Sequence, residues 1–325
     1  MESHRRPALN GLELRADHRE PAIRTEGLTK RFGDRIAVDD VSLTVPRGAA
    51  YGFLGHNGAG KTTLIRVLLG LTRASAGRAS LLGLPVPARR AQALARVGAI
   101  VEEPSFYSHL TGYENLKIAA AVRGPETRER IDGSLERVGL DKRSRDRVGT
   151  YSLGMRQRLG VARCLLSDPE LLILDEPMNG LDPGGMLDVR RMIRALVKDE
   201  GRTVFVSSHL LDEVEKTCDL AAIIDGGRVI AQGPIEELVA DEARELVIEC
   251  DDPDRALALL AGDPAVHDLR TEHGALRMSL VDPDQAGEIN ARLVTAGLVV
   301  TRLEPARRSL EDRFLEMTTR LEVAA

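Results

Sequence analysis

The chain has 325 residues, 43% of them hydrophobic, and a formal net charge of −5. That length predicts about two domains, and the apolar content is enough for packed cores, so a disordered chain is excluded. The charge balance gives no general electrostatic drive toward nucleic acid, and no run of 18 or more apolar residues offers a membrane-spanning helix.

Residues 1–21 mix charge with Pro and Gly and lack the apolar stretch of a secretory signal, so a flexible tail is expected there. From Ala22 the pattern is strand-like. Val41-Ser42-Leu43-Thr44-Val45 alternates with period two, and Pro46-Arg47-Gly48 supplies a turn. Ala50–Leu54 reads as a short apolar strand entering Gly55-His56-Asn57-Gly58-Ala59-Gly60-Lys61-Thr62, and Thr63–Leu69 reads as the helix leaving it. This octapeptide fills the pattern G-x-x-x-x-G-K-[ST]. Its glycines let backbone N–H groups turn around phosphate oxygens, and the helix start adds a positive end. Lys61 can reach the β- and γ-phosphates, and the Thr62 hydroxyl can hold Mg²⁺. Gly55, His56, Asn57, Gly58, Ala59, Gly60, Lys61, Thr62 and Thr63 are therefore the candidate nucleotide-binding residues, and a nucleoside triphosphate is the expected ligand.

Val97–Val101 looks like a buried strand. From about 105 to 167 the chain is helical and highly charged, and the dense run Glu126–Arg147 reads as a solvated helix face. Strands return at Leu171–Leu174 and Val204–Ser207, with a helix from Pro183 to Lys198 between them. Continuous apolar runs alternating with helices indicate a mainly parallel sheet covered on both faces. Ala221–Ala231, turning at Asp225-Gly226-Gly227, is a hairpin. Beyond about Asp241 the pattern restarts. Strands are expected at Leu246–Ile248, Leu276–Leu280 and Leu298–Thr301, and helices at about Arg255–Ala261 and Gln285–Ala296. This is a small α+β domain of ferredoxin-like type. The closing helix, with Ser309 as N-cap, puts Leu310, Phe314, Met317 and Leu321 on one face, for packing or for a partner. Cys164, Cys218 and Cys250 have no metal-ligand spacing and read as small buried hydrophobes.

A second chemical site follows the strand Leu171–Leu174. Asp175-Glu176-Pro177 places adjacent carboxylates at the carboxyl edge of the sheet, beside the phosphate loop. Asp175 is suited to hold Mg²⁺, and Glu176 to polarise the attacking water as a general base.

Tyr151-Ser152-Leu153-Gly154-Met155-Arg156-Gln157-Arg158, upstream of Asp175, resembles the signature motif of ATP-binding-cassette (ABC) ATPases. Asn179-Gly180-Leu181-Asp182-Pro183 resembles that family's D-loop, Ser207-Ser208-His209 its switch histidine, and Phe32 its adenine-stacking aromatic. The resemblance covers about Ala22 to Leu238. It implies that Ser152, Gly154 and Met155 contact the γ-phosphate held by a partner subunit, and that Asp182 belongs to the same composite site. It also implies that His209 assists catalysis with Glu176. A packing role for Phe32 stays open. In place of the family's Mg²⁺-contacting Gln stands Glu102, itself a candidate Mg²⁺ ligand. In the signature, Leu153 replaces a Gly and Met155 a Gln. These departures, with Pro104-Ser105-Phe106-Tyr107 and Leu110–Leu116, resemble the bacitracin- and lantibiotic-type peptide exporters.

The implied fold is α/β: a P-loop NTPase with a mainly parallel sheet, an antiparallel β subdomain and a helical signature subdomain at about 105–167, plus the C-terminal α+β domain. The implied domains are 22–240 and 241–325. The implied cofactors are ATP and Mg²⁺. The implied partners are a second ATPase subunit, expected to be another copy of the chain, and a multi-span membrane permease; no nucleic acid is expected. The expected location is the cytoplasmic face of the membrane. Phe106, Tyr107 and Leu110 either dock a coupling helix of the permease or join the core. The competing readings are a soluble cassette ATPase acting on ribosomes or DNA, and an ATP-binding regulator without transport.

Overall fold

The computed structural model describes residues 20–239, 245–272, 274–280, 282, 285–305, 310–311 and 313–315. They fall into two compact units. The first holds the described residues up to Tyr51, Asn57–Ser207 and Gly226–Arg228; the second holds Gly52–His56, Ser208–Asp225 and the described residues from Val229 on.

In the first unit, β1 (Ile23–Phe32) and β2 (Arg35–Val45) pair antiparallel, Ile23 opposite Val45. In β2, Val41, Leu43 and Val45 are buried while Ser42 and Thr44 are exposed, as their period-two alternation requires. Then come β3 (Ala50–Leu54), buried throughout, and α1 (Lys61–Leu68). β4 (Ala76–Leu81) and β5 (Leu84–Val86) complete a four-stranded antiparallel sheet in the order β2-β1-β4-β5. After α2 (Arg90–Leu94) and β6 (Val97–Ile100) the chain turns helical: α3 (Gly112–Arg123), α4 (Pro125–Glu129), α5 (Ile131–Arg137) and α6 (Leu153–Leu165). The start of α3 is fixed by a capping box between Thr111 and Glu114, which satisfies two otherwise unpaired N–H groups. Within the charged run, Ile131, Leu135, Val138 and Leu140 are buried, so the run has an apolar inner side.

β7 (Leu171–Asp175) follows, then α7 (Pro183–Lys198) and β8 (Thr203–Ser208). β7 lies between β6 and β8, parallel to both, with Leu174 beside Ile100 and Asp175 beside Ser207. Leu171 to Leu174 are all 0% exposed. Burying each contributes about 1.5–3 kcal/mol, which is why this strand, flanked on both sides, is apolar until its last residue. α6 packs so closely on β6 that a Cβ at Gly98 would stand 2.7 Å from the Cβ of Cys164. Burial pushes the Cys164 thiol up to about 11, so it is an inert packing group.

In the second unit, α8 (Leu211–Thr217) packs against Gly52 of β3, where a Cβ would meet Val214 Cγ1 at 2.3 Å. β9 (Leu220–Asp225) and β10 (Arg228–Pro234) are joined through Gly226 and Gly227, which count with the first unit, both at positive φ, as a two-residue hairpin turn demands. α9 (Ile235–Val239) ends this stretch. Next come β11 (Glu245–Cys250), α10 (Pro253–Leu260), β12 (Val266–Glu272), β13 (Ala275–Leu280), α11 (Ala286–Thr295) and β14 (Val300–Pro305). Their sheet has the order β12-β13-β11-β14, antiparallel at every pairing. A β-α-β-β-α-β chain with that order is the ferredoxin-like arrangement. Its core joins Leu246, Ile248, Leu276 and Met278 of the sheet to Leu260, Ile289 and Leu293 of the helices.

The last described segment is helical at 310–311 and 313–315, with Leu310 and Phe314 buried. Ser309, Met317 and Leu321, expected on the same helix, lie outside the described residues, as does the expected tail up to residue 19.

Candidate functional site

The phosphate loop begins where β3 ends. Two of its glycines are dictated by backbone conformation: Gly58 has φ 85° and Gly60, the N-cap of α1, has φ 110°. Gly227 N donates to Ala59 O at 3.1 Å, so a glycine of the hairpin turn steadies the middle of the loop. Asn57, Gly58, Gly60, Lys61, Thr62 and Thr63 line a cavity of about 350 Å³. Phe32, Arg35 and Ala37 of the β1–β2 hairpin close one side of it, and Glu176 another. Phe32 is 52% exposed, with Lys30 Nζ 4.6 Å from its ring centre, a cation–π contact that leaves much of the ring accessible.

Lys61 is 6% exposed, and its Nζ stands 3.1 Å from Glu176 Oε1. Glu176 owes this position to its backbone. It follows β7 with φ 48°, a left-handed conformation that a non-glycine residue rarely adopts. Ser207, fully buried on β8, holds both carboxylate residues. Its hydroxyl donates to Asp175 Oδ1 and accepts from Glu176 N at 3.0 Å, and Glu176 N also reaches Ser207 O at 3.2 Å. Asp175 is itself buried.

A divalent ion fits this donor set in kind. Mg²⁺ takes one or two carboxylates together with phosphate oxygens and water, so Asp175 and the Thr62 hydroxyl suffice without a larger cluster. Among the described residues there is indeed no group of three or more His, Cys, Asp or Glu side chains arranged for a metal. Glu102 follows β6 with φ 69°, has a side chain 65% exposed and ion-pairs with Arg66; neither it nor Asp175 is among the residues that line the cavity.

The signature residues form a separate cluster. Ser152 caps α6, its Oγ accepting from Met155 N at 3.2 Å, and Asp182 caps α7 by accepting from Gly185 N at 3.1 Å. Gly154 lies over the start of α7: a Cβ on it would meet Gly185 Cα at 3.5 Å, an ordinary contact. Packing within this chain therefore does not demand glycine at 154. Ser152, Gly154, Met155 and Asp182 are absent from the cavity lining, and Ser152 is exposed. In the second unit, Gly55 N donates to Ser208 O at 3.3 Å, and His209 follows directly, half-buried.

Sequence reasoning missed three participants. Arg35 and Ala37 line the cavity without belonging to any motif, and Ser207 was read only as the start of Ser207-Ser208-His209. The available signal was a serine ending an apolar strand, parallel to one that ends in carboxylates. Near the loop after β6, Asn115 pins Tyr107 through both backbone groups, at 2.9 and 3.1 Å. Tyr107 is left 57% exposed, and Phe106 lies under the Arg163 guanidinium.

The profile of the family described as ABC transporter matches residues 38–179. The bacitracin transport ATP-binding protein BcrA of Bacillus licheniformis is 40% identical over 91% of this chain and 96% of its own length. The Nod factor export ATP-binding protein I of Ralstonia nicotianae is 36% identical over 92% of this chain and 94% of its own. Among solved structures, cbiO1 from Clostridium perfringens, part of the ABC transporter complex cbiONQ, is 28% identical. It superposes with a TM-score of 0.63, covering 69% of this chain and 92% of that one.

Proposed function

The chain belongs to the ATP-binding subunits of ABC transporters, a family that hydrolyses ATP to power transport, and from that premise we propose how its residues divide the work. ATP lies in the cavity with adenine on Phe32 and its phosphates in the loop Gly55–Thr62. Thr62 and Asp175 would hold Mg²⁺, which would supply charge neutralisation on the transferred phosphoryl group. Glu176 takes the proton of the attacking water, and His209 steadies the γ-phosphate. The observation that carries this reading is the Lys61–Glu176 pair, at 3.1 Å, on the wall of the cavity. The pair supports the reading because a phosphate-binding cation and a general base have to stand within about one phosphate's width of each other.

A second copy of the chain completes the site. Ser152, Gly154 and Met155 stand at the start of a helix, away from this chain's own cavity, and a helix start is an anion site. Gly154, free of internal packing demand, lets the backbone approach the γ-phosphate of the partner's ATP. No helix among the described residues is long and apolar enough to cross a membrane, and the partner in this reading is a separate permease. Tyr107, with Ile118 and Val122 exposed on α3, offers it an apolar docking face.

The machine exports, and its cargo is a peptide antibiotic of the bacitracin kind. That assignment leans on the names of the relatives and on the motif departures around Glu102 and Leu153. Co-expression with the cognate permease should lower bacitracin sensitivity, and Lys61→Ala should abolish the protection. Unchanged sensitivity would remove the cargo assignment. Recovery of the protein with ribosomes, and never with membranes, would remove the transporter reading itself.

A further inference from the structure

Phe314 lies far down the sequence from the phosphate loop, yet its ring meets the loop directly. It stands 4.6 Å from the His56 ring, centre to centre, at an interplanar angle of 79°, the edge-to-face geometry that aromatic pairs favour. Phe314 is 1% exposed, whereas His56 lies on the exposed part of the loop. The segment carrying Phe314 is tied at its other end too: Leu310, fully buried, donates its N–H to Glu215 Oε2 on α8 at 3.1 Å. α8 in turn rests on Gly52 of β3, the strand that delivers the loop. The segment therefore links α8 to the loop itself, where His56 sits between Gly55, anchored to Ser208, and Asn57 of the cavity lining.

A phosphate loop binds through backbone N–H groups, and small displacements of these groups weaken every hydrogen bond at once. We propose that the C-terminal segment at Leu310–Phe314 sets nucleotide affinity by holding the phosphate loop through the Phe314–His56 contact. Phe314 is then a positioning residue for ATP, and release of the segment lowers nucleotide affinity. This inference rests on the reading of Gly55–Thr62 as the phosphate site.

The test uses the full chain, with ADP as the calorimetric probe and steady-state ATP hydrolysis beside it. Phe314→Leu and Phe314→Met keep most of the apolar volume, which guards against simple unfolding. Each should weaken ADP binding and raise KM for ATP by about two- to tenfold, the range expected for loss of an aromatic pair, with kcat unchanged. In a His56→Ala background the same substitutions should change ADP affinity by less than about twofold, because the coupled ring is gone. A lowered Tm with unchanged ADP affinity would overturn the proposal, as would an equal loss of affinity in both backgrounds. Lys61→Ala separates the two levels: if it binds ADP as the wild type does, the phosphate-site reading fails. If it loses binding while Phe314→Leu does not, only the positioning role fails.

Discussion

Ser207→Ala removes one hydroxyl and leaves every backbone bond of β8 intact. The lost group donates to Asp175 Oδ1 and accepts from Glu176 N, and Ser207 is 0% exposed, so water cannot replace it freely. A hydrogen bond to a charged acceptor contributes about 1.5–3 kcal/mol. Glu176 N keeps its bond to Ser207 O at 3.2 Å, so the loss falls mainly on Asp175. If Asp175 holds Mg²⁺ against the γ-phosphate, most of that loss reaches the transition state, a fall of about ten- to a hundredfold in kcat. The Mg²⁺ concentration for half-maximal rate should rise as well. Stopped or continuous phosphate-release assays across a Mg²⁺ titration read both quantities, and a denaturant melt reads stability. A variant that loses stability but keeps the wild-type rate and Mg²⁺ dependence would refute the assignment of Asp175 as the metal ligand.

Other perturbations test neighbouring parts. Glu176→Gln should reduce ATP turnover by at least about a hundredfold in phosphate release while ATP binding persists in calorimetry, since the carboxylate acts in the chemical step. Phe32→Ala should weaken ATP binding by about 1–3 kcal/mol, by analogy with base stacking, and should leave inorganic-phosphate inhibition unchanged. Just before β7, hydrogen bonding from Arg96, and then from Arg47 at 2.7 Å, holds the Glu170 carboxyl below the usual carboxylate range. Its stabilisation is therefore present above the ordinary glutamate pKa and is lost as pH falls through the lowered one. Glu170→Gln should destabilise the protein at neutral pH by no more than about 1 kcal/mol, given its exposure, and the difference should vanish in acid melts.

The parts legible in the sequence were those where one local rule decides the structure. The strand entering the phosphate loop, the buried run Leu171–Leu174 and the Gly226-Gly227 turn each follow from apolar continuity or positive φ. Bounds shifted where capping chose the start: α1 begins at Lys61, ahead of the apolar run, because Gly60 already turns the chain into the helix. β4 and β5 escaped notice because Ala76–Leu81 has three exposed residues in succession and no alternation until its end. β12 escaped for the same reason, with only Val266 buried. The last strand was expected from Leu298, which lies in the loop before β14 and is buried there against the core of the sheet and helices. Of the cavity lining, Phe32, the loop residues and Glu176 were legible, while the Ser207 hydrogen bonds and the Phe314–His56 contact were not. Both depend on partners that only the folded chain brings near.

The central claim is that each catalytic site is built from two copies of the chain. Lys61→Ala destroys the phosphate loop of one copy and spares its signature; Ser152→Ala does the reverse. In a mixed dimer of the two variants, one site carries both lesions and the other carries none. Phosphate release from a re-associated mixture should therefore rise well above that of either variant alone. A mixture no more active than its components, with mixed dimers verified by differential tags, would contradict the composite site.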